Sequence, residues 1–471
     1  MPRGLAAVST LFLLLRAVCA ESDPGPPLLC PLRPVSVLDL LHCRAERIAA
    51  AAGACGRPDD SSDRSSSFLF QNGAQQAPRL WSGWRVVPLP LFDSRMTSLR
   101  LAPPLLHPHR QGVDVTRELT ELYSWVTPER LEIRPAGWAH VEIDPAGFVL
   151  YAEDVLVDLR GVHDRCGRSV ALESCTTACF PQMRRGSGVP WHSPLGSTRN
   201  LTGTFVVAGP HVWGRGPYHH VLEEMSVAVQ AMEVLAADPT SRLLLTRPSY
   251  ATMYDYPRVL MGLGPDRVVY LEENDDGGGL RLERAFVPSG GLCGLPPHGR
   301  LARLREVSCA QAMLRDGTHS CWPPDDAPPR RRLVVLIRRG GAGPRAAWSN
   351  WASFVEAARG EFPHVEFEEH TPEMSVASVQ RLYARAYAVV GPHGAGFVNL
   401  VFSRPGTRVL EIAPDKMGGA GHHQRYNGCY WWLCQALQLE HHLFQTPGTG
   451  RGFSEPLDVR AVIALLVQIL E

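Results

Sequence analysis

An α/β chain of two Rossmann-like halves facing a cleft is predicted by three features of the sequence: two successive runs of alternating strand and helix patterns, a Pro-rich break between them, and glycine turns at strand-to-helix junctions. Length and composition agree, since 471 residues at 45% hydrophobic content exceed one compact core and supply apolar surface for two.

The chain opens with Arg3, an apolar run from Leu5 to Leu15, Arg16 and the small-residue pattern Val18-Cys19-Ala20, which fits a signal peptide over residues 1–20. A type II membrane anchor is the competing reading; the run falls short of the roughly 20 apolar residues a span needs, and Arg16 interrupts it. Residues 21–109, rich in Pro, Ser and charge, read as a loosely structured stem.

A first domain over 110–320 begins with LEIRP, AHVEID, FVLYAED and VLVDLRG between 131 and 159, whose period-two alternation predicts a β meander standing apart from the main sheet. Strand and helix then alternate: GTFVVAG, a helix over 218–235, RLLLT, a helix near 254–261, and RVVYLEE. The segment 321–332 reads as a linker. A second domain over 333–471 repeats the rhythm with RRLVVLI, a helix over 351–359, HVEFEE, a helix over 375–385, AYAVVG, a helix opened by Gly394-Ala395-Gly396, TRVLEIA, and a closing helix over 458–470.

Lys plus Arg and Asp plus Glu both total 47, so no basic surface argues for a nucleic-acid partner. Removal of Cys19 with the signal leaves an odd number of cysteines, so at least one thiol stays free or pairs with another chain; an oxidising lumen favours disulfides over zinc, with connectivity open. Asn200-Leu201-Thr202 is a glycosylation sequon.

The sharpest motif is Val389-Val390-Gly391-Pro392-His393-Gly394-Ala395-Gly396, an apolar strand running through a small-residue turn into a helix. Such a turn lets backbone approach a ligand, and a helix N-terminus offers N–H groups to a pyrophosphate; the same glycines also serve as a plain tight turn. Glu411, on the next strand, reads as a ribose acceptor or as a solvated acid. The chain has no Asp-x-Asp pair to hold a divalent ion at a donor diphosphate, so charge neutralisation falls to side chains: Arg338, Arg339 and Arg345, after the LVVLI strand, are the candidates. His219 and Glu223 lie one turn apart on one helix face, either as a base with its orienting carboxylate or as a solvated helix-start pair.

These residues together resemble the family 61 glycosyltransferases. Tyr218-His219-His220-Val221-Leu222-Glu223 matches the family's Y-H-W-L-x-E element, Pro392-His393-Gly394-Ala395-Gly396 with Asn399-Leu400 its H-G-A-G-x-x-N-L element, and Arg408-Val409-Leu410-Glu411-Ile412 its V-I-E-L element, while Leu336 to Asn350 looks like its Arg-rich loop. The resemblance implies a GT-B fold and metal-free, inverting transfer from a nucleotide sugar, UDP-linked, with no cofactor. It assigns His393, Gly394, Ala395, Gly396 and Glu411 to the donor, Arg338 and Arg345 to its phosphates, and His219 with Glu223 to catalysis on the acceptor side. Xylose and N-acetylglucosamine are the sugars it suggests, a glycoprotein glycan or protein hydroxyl the acceptor, and the Golgi or endoplasmic reticulum lumen the location, the C-terminus Gln468-Ile469-Leu470-Glu471 lacking a retention tetrapeptide. His220 stands where the family has Trp. Two rival readings are a secreted carbohydrate-binding protein that keeps the fold without turnover, and a nicotinamide-dependent oxidoreductase, which lacks the full G-x-G-x-x-G fingerprint. Tyr430, Trp431 and Trp432 read either as core or as rings that stack on a sugar or base.

Overall fold

A computed structural model describes residues 148–159, 161–163 and 198–471, apart from 210, 212, 273–278, 289–295, 323–331, 340–347, 415–427, 450, 451 and 454; elsewhere it describes only the strand positions 85–88, 98–101, 105–107, 131–133, 139–142 and 169–171. Arg345, the signal segment, most of the linker and His422 to Asn427 therefore lie outside the described residues.

Strands and helices alternate as a mixed α/β fold. In chain order the strands are β1 (Arg85–Pro88), β2 (Ser98–Leu101), β3 (Leu105–His107), β4 (Leu131–Ile133), β5 (Ala139–Glu142), β6 (Phe148–Asp158), β7 (Gly161–His163), β8 (Ser169–Ala171), β9 (Arg199–Val207), β10 (Arg242–Thr246), β11 (Val268–Leu271) and β12 (Leu280–Pro288), followed by β13 (Leu333–Ile337), β14 (Glu366–His370), β15 (Ala388–Pro392), β16 (Arg408–Pro414) and β17 (Glu440–Thr446). The helices are α1 (219–237), α2 (Tyr256–Met261), α3 (His298–Asp316), α4 (Trp351–Glu361), α5 (Val376–Arg385), α6 (Cys429–Ala436) and α7 (Val459–Leu470), with a 3-10 helix over Ala395–Phe402.

In the first sheet the strand order is β11-β10-β9-β12-β6-β7-β8, with β1 against β6. The strands β11, β10, β9 and β12 are mutually parallel, and β6 joins them antiparallel along β12. The meander expected between 131 and 159 is thus divided. Its first half, β4 and β5, pairs with β2 in a small antiparallel sheet, whereas FVLYAED and VLVDLRG fuse into the single strand β6 of the main sheet. Asp154, at φ 57°, reads as a turn residue but is carried within the strand, as Asp tolerates the left-handed region.

The second sheet runs β14-β13-β15-β16-β17-β3, all parallel. Its central strands are buried along their length, which is why LVVLI and AVVG read as continuous apolar runs. The stem is not wholly loose: it lends β1 to the edge of one sheet and β3 to the other.

One hydrophobic core reaches both sheets, holding Val206, Leu222, Met225 and Leu245 beside Val335, Val389, Phe397 and Trp431. Polar ties cross the same region: Tyr256 Oη donates to Asn399 Oδ1 at 2.7 Å, Gln380 Nε2 to Ser308 Oγ at 2.8 Å, and Trp432 Nε1 to the Pro296 carbonyl at 2.7 Å. Cys309 and Cys321 form a disulfide that pins the chain beyond α3 back onto that helix, while Cys429 and Cys434 are buried and stand outside that bridge. Asn200 is exposed on β9. No helix among the described residues is long and apolar enough to cross a membrane.

Candidate functional site

In an open parallel sheet the loops at the carboxyl ends of strands flanking a reversal of strand order form a ligand crevice. The second sheet reverses between β13 and β15, the first between β9 and β12. The candidate residues follow β9, β13 and β15.

After β9 the chain turns through His211 and Trp213 into α1. Thr246, at the end of β10, locks the turn: its hydroxyl accepts from His211 N–H at 3.0 Å and donates to the His211 carbonyl at 3.3 Å. The first turns of α1, His219–Glu224, are wound as a π-helix, with Met225 N–H bonded to the His220 carbonyl. Such widened turns recur at functional sites. Here His219 Nδ1 meets Glu223 Oε2 at 2.7 Å, and His211 Nε2 lies 3.5 Å from the same oxygen. His211 is 1% exposed, and burial, opposed by the Glu223 charge, lowers its pKa to about 4, so its ring is neutral at neutral pH. The His219 side chain is 26% exposed, with the exposed Trp213 ring 6.3 Å away. Among the described residues, His211, His219 and Glu223 are the group whose donor atoms, all within 4.8 Å of one another, suit a metal ion.

At the second sheet, Glu411 of β16 pairs in register with Gly391 of β15, two residues before His393. His393 Nδ1 is hydrogen-bonded to Glu411 Oε1, and His441 Nε2, from β17, to Glu411 Oε2 at 2.8 Å. Burial alone raises a carboxyl pKa, but the bonds and charges of His393, then His441, outweigh it and bring Glu411 down to about 2. The glycine turn packs closely: a Cβ on Gly391 would stand 2.6 Å from Ile337 Cβ, and one on Gly394, at φ 155°, would overlap the Arg339 guanidinium. These glycines serve strand packing and also admit Arg339 to the turn.

The two clusters meet through aromatic rings. Tyr430, opening α6, has its ring 5.2 Å from His393 and 5.7 Å from Tyr218, the neighbour of His219. The Cys429 thiol beside it is pushed up, by burial first and then by the charges of Glu411 and Glu223.

The structure therefore brings His219 to Glu223 and His393 to Glu411, and sets Gly394, Ala395 and Gly396 at the turn beside Arg339. Glu411 is fully buried, with Oε1 bonded to His393 and Oε2 to His441. Arg338 is exposed, with its charge felt at Glu373, while Arg339 occupies the turn. His220, which stands where the family has Trp, is fully buried, 3.3 Å from Glu224 Oε2, with its ring stacked 6.5 Å from that of Tyr270 on β11. Trp431 and Trp432 are core residues. Sequence reasoning missed His211 and His441, which reach their carboxylates only through the fold; His441, in the run EHHLFQ, gave one legible sign, a histidine in an otherwise strand-like stretch.

The family Glycosyltransferase 61 matches residues 176–410, a span that contains both clusters except His441 and the last strand-side residue Glu411. Comparison with curated proteins gave no match. Solved structures overlap only loosely. The E. coli heptosyltransferase WaaC covers 57% of this chain and 99% of its own at 12% identity and TM-score 0.24. The iron-containing dodecameric glycosyltransferase TibC from enterotoxigenic E. coli covers 46% and 59% at 11% identity and TM-score 0.22. An NADPH-quinone reductase from P. pentosaceus covers 29% and 96% at 12% identity and TM-score 0.19. Overlaps this loose carry no fold assignment. The ordered motifs and the family match over 176–410 identify the chain as a member of the family 61 glycosyltransferases, and hence as a glycosyltransferase.

Proposed function

We propose that the protein is a GT-B type transferase that moves a sugar, xylose or N-acetylglucosamine, from a UDP-linked donor to a glycoprotein glycan or protein hydroxyl in the secretory pathway lumen, by metal-free single displacement with inversion. The observation that carries this reading is the pair of histidine–carboxylate clusters, one beyond the parallel strands of each sheet, joined by the Tyr218–Tyr430 contact.

The His393 side supports donor binding. A diphosphate at the Gly394 turn would meet the Arg339 guanidinium, the first backbone N–H groups of the Ala395–Phe402 helix, and His393 held in place by Glu411. The His219 side supports acceptor activation. With Nδ1–H donating to Glu223, the lone pair sits on Nε2 and takes the acceptor hydroxyl's proton. The freed oxygen attacks the anomeric carbon. The bond from that carbon to the phosphate oxygen breaks, and its electron pair leaves on the nucleotide diphosphate, where the cationic turn stabilises it. Trp213, 46% exposed beside His219, offers an aromatic face to a sugar or peptide acceptor.

Thermal melting of the purified protein with UDP-xylose, UDP-N-acetylglucosamine, other nucleotide sugars and NADH, each with and without chelator, tests the reading. Stabilisation by one UDP-sugar irrespective of chelator is expected. Stabilisation by NADH alone, or by a UDP-sugar only when metal is present, contradicts it.

A further inference from the structure

We propose that His211, His219 and Glu223 form a binding site for one divalent transition-metal ion of the zinc or cobalt kind, and that filling it silences the transferase. The binding rests on the ligand set alone; the silencing rests on His219 acting as the base.

Two imidazoles and a carboxylate are the donor set that zinc, cobalt and nickel favour, and magnesium and calcium do not. The set is built from two elements whose backbones are fixed independently: Thr246 clamps His211 on both its N–H and its carbonyl, and the π-wound turn of α1 presents His219 and Glu223 four residues apart on one face. An ion with ligands at about 2.1 Å in tetrahedral array needs donors about 3.4 Å apart. His211 Nε2 and Glu223 Oε2 are already 3.5 Å apart, the 2.7 Å contact between His219 Nδ1 and Glu223 Oε2 needs to open by about 0.7 Å as ion replaces proton, and all three donors start within 4.8 Å of one another. Two ligands are buried and the third is partly open, so an ion would have an entry path and would keep a position for water, as sites with three protein ligands do.

Silencing follows from the tautomer. An ion bound at His219 Nδ1 leaves the ring's single proton on Nε2, which then has no lone pair for the acceptor hydroxyl. The ion also takes Glu223 away from its orienting role.

The test uses untagged full-length protein stripped of metal, titrated with Co2+ and followed by its visible d–d absorption, with Zn2+ as competitor. One equivalent of Co2+ giving a band that Zn2+ abolishes is expected, with at least a 10-fold loss of affinity in both His211→Gln and Glu223→Gln, whose folding is checked by circular dichroism. A second measurement needs no variant: Zn2+ should block diethyl pyrocarbonate modification of His219 in the wild-type protein, read by mass spectrometry. No stoichiometric band, a band unchanged in both folded variants, or unprotected His219 overturns the site. Zn2+ that binds there yet leaves sugar transfer unchanged overturns the silencing and the assignment of His219 as base, not the ligand set; absence of binding with His219-dependent transfer overturns the site and leaves the base assigned.

Discussion

Replacing Glu411 by Gln tests whether the buried carboxylate is a charged strut beneath His393. Its pKa falls from the ordinary 4.5 to about 2 because the hydrogen bonds and charges of His393 and His441 outweigh burial. At about 1.4 kcal/mol per pH unit, the native surroundings favour the carboxylate over a neutral group by about 3 kcal/mol. A depressed carboxyl pKa contributes stability above the unfolded value near 4.5 and loses it as pH falls towards 2. Glu411→Gln should therefore lower unfolding free energy by about 3 kcal/mol, equally at pH 7 and pH 5.5, both above that window. Urea unfolding followed by tryptophan fluorescence reads the difference. A variant as stable as wild type at pH 7 would refute the charged strut, and a gap that vanishes by pH 5.5 would assign the loss to a different group.

Other perturbations separate neighbouring residues. Arg339→Ala should weaken UDP binding roughly 10- to 150-fold by calorimetry, the worth of a lost charge-assisted phosphate contact of about 1.5–3 kcal/mol, while Arg338→Ala stays close to wild type; equal losses would return Arg338 to the turn. Gly391→Ala forces a methyl against Ile337 between two buried strands and should cost about 1–3 kcal/mol of stability in chemical denaturation; an unaffected midpoint would contradict that packing. Burial lowers His211 and His370 to about 4 and His298 to about 3 from 6.5, so below pH 6.5 the unfolded chain binds protons that the native chain excludes. Stability should then fall with acid by about 4 kcal/mol per pH unit near pH 5, and a flat urea midpoint between pH 6.5 and 5 would show these rings to be solvated.

Much of the second sheet was legible because its inner strands are covered on both faces and read as unbroken apolar runs, as in LVVLI and AVVG. β17 was hidden because Glu440, His441 and His442 look like a surface stretch, yet His441 is buried on Glu411 and His442 bonds to Glu440. α3 was missed for a similar reason: HGRLARLREVSCAQAMLRD has sparse apolar residues, and what buries it is packing against α2, α6 and the Ala395–Phe402 helix. At the site, His219 with Glu223 could be read from helical spacing, and the glycine turn from its motif. Arg339 over Arg338 could not, because strand alternation sends adjacent residues to opposite faces and only the partner strand decides which one meets Gly394. His211 reaches Glu223 only because the turn after β9 is clamped to β10, a contact 35 residues distant in sequence.

The most direct measurement is a comparison of His393→Ala and His219→Ala for UDP affinity by calorimetry and for single-turnover transfer from a saturating UDP-sugar. The account places the donor at the second sheet and the proton acceptor at the first, so His393→Ala should bind UDP at least about 10-fold more weakly, whereas His219→Ala should bind it normally and transfer roughly 100- to 10,000-fold more slowly. Normal UDP affinity in His393→Ala together with undiminished turnover in His219→Ala would contradict it.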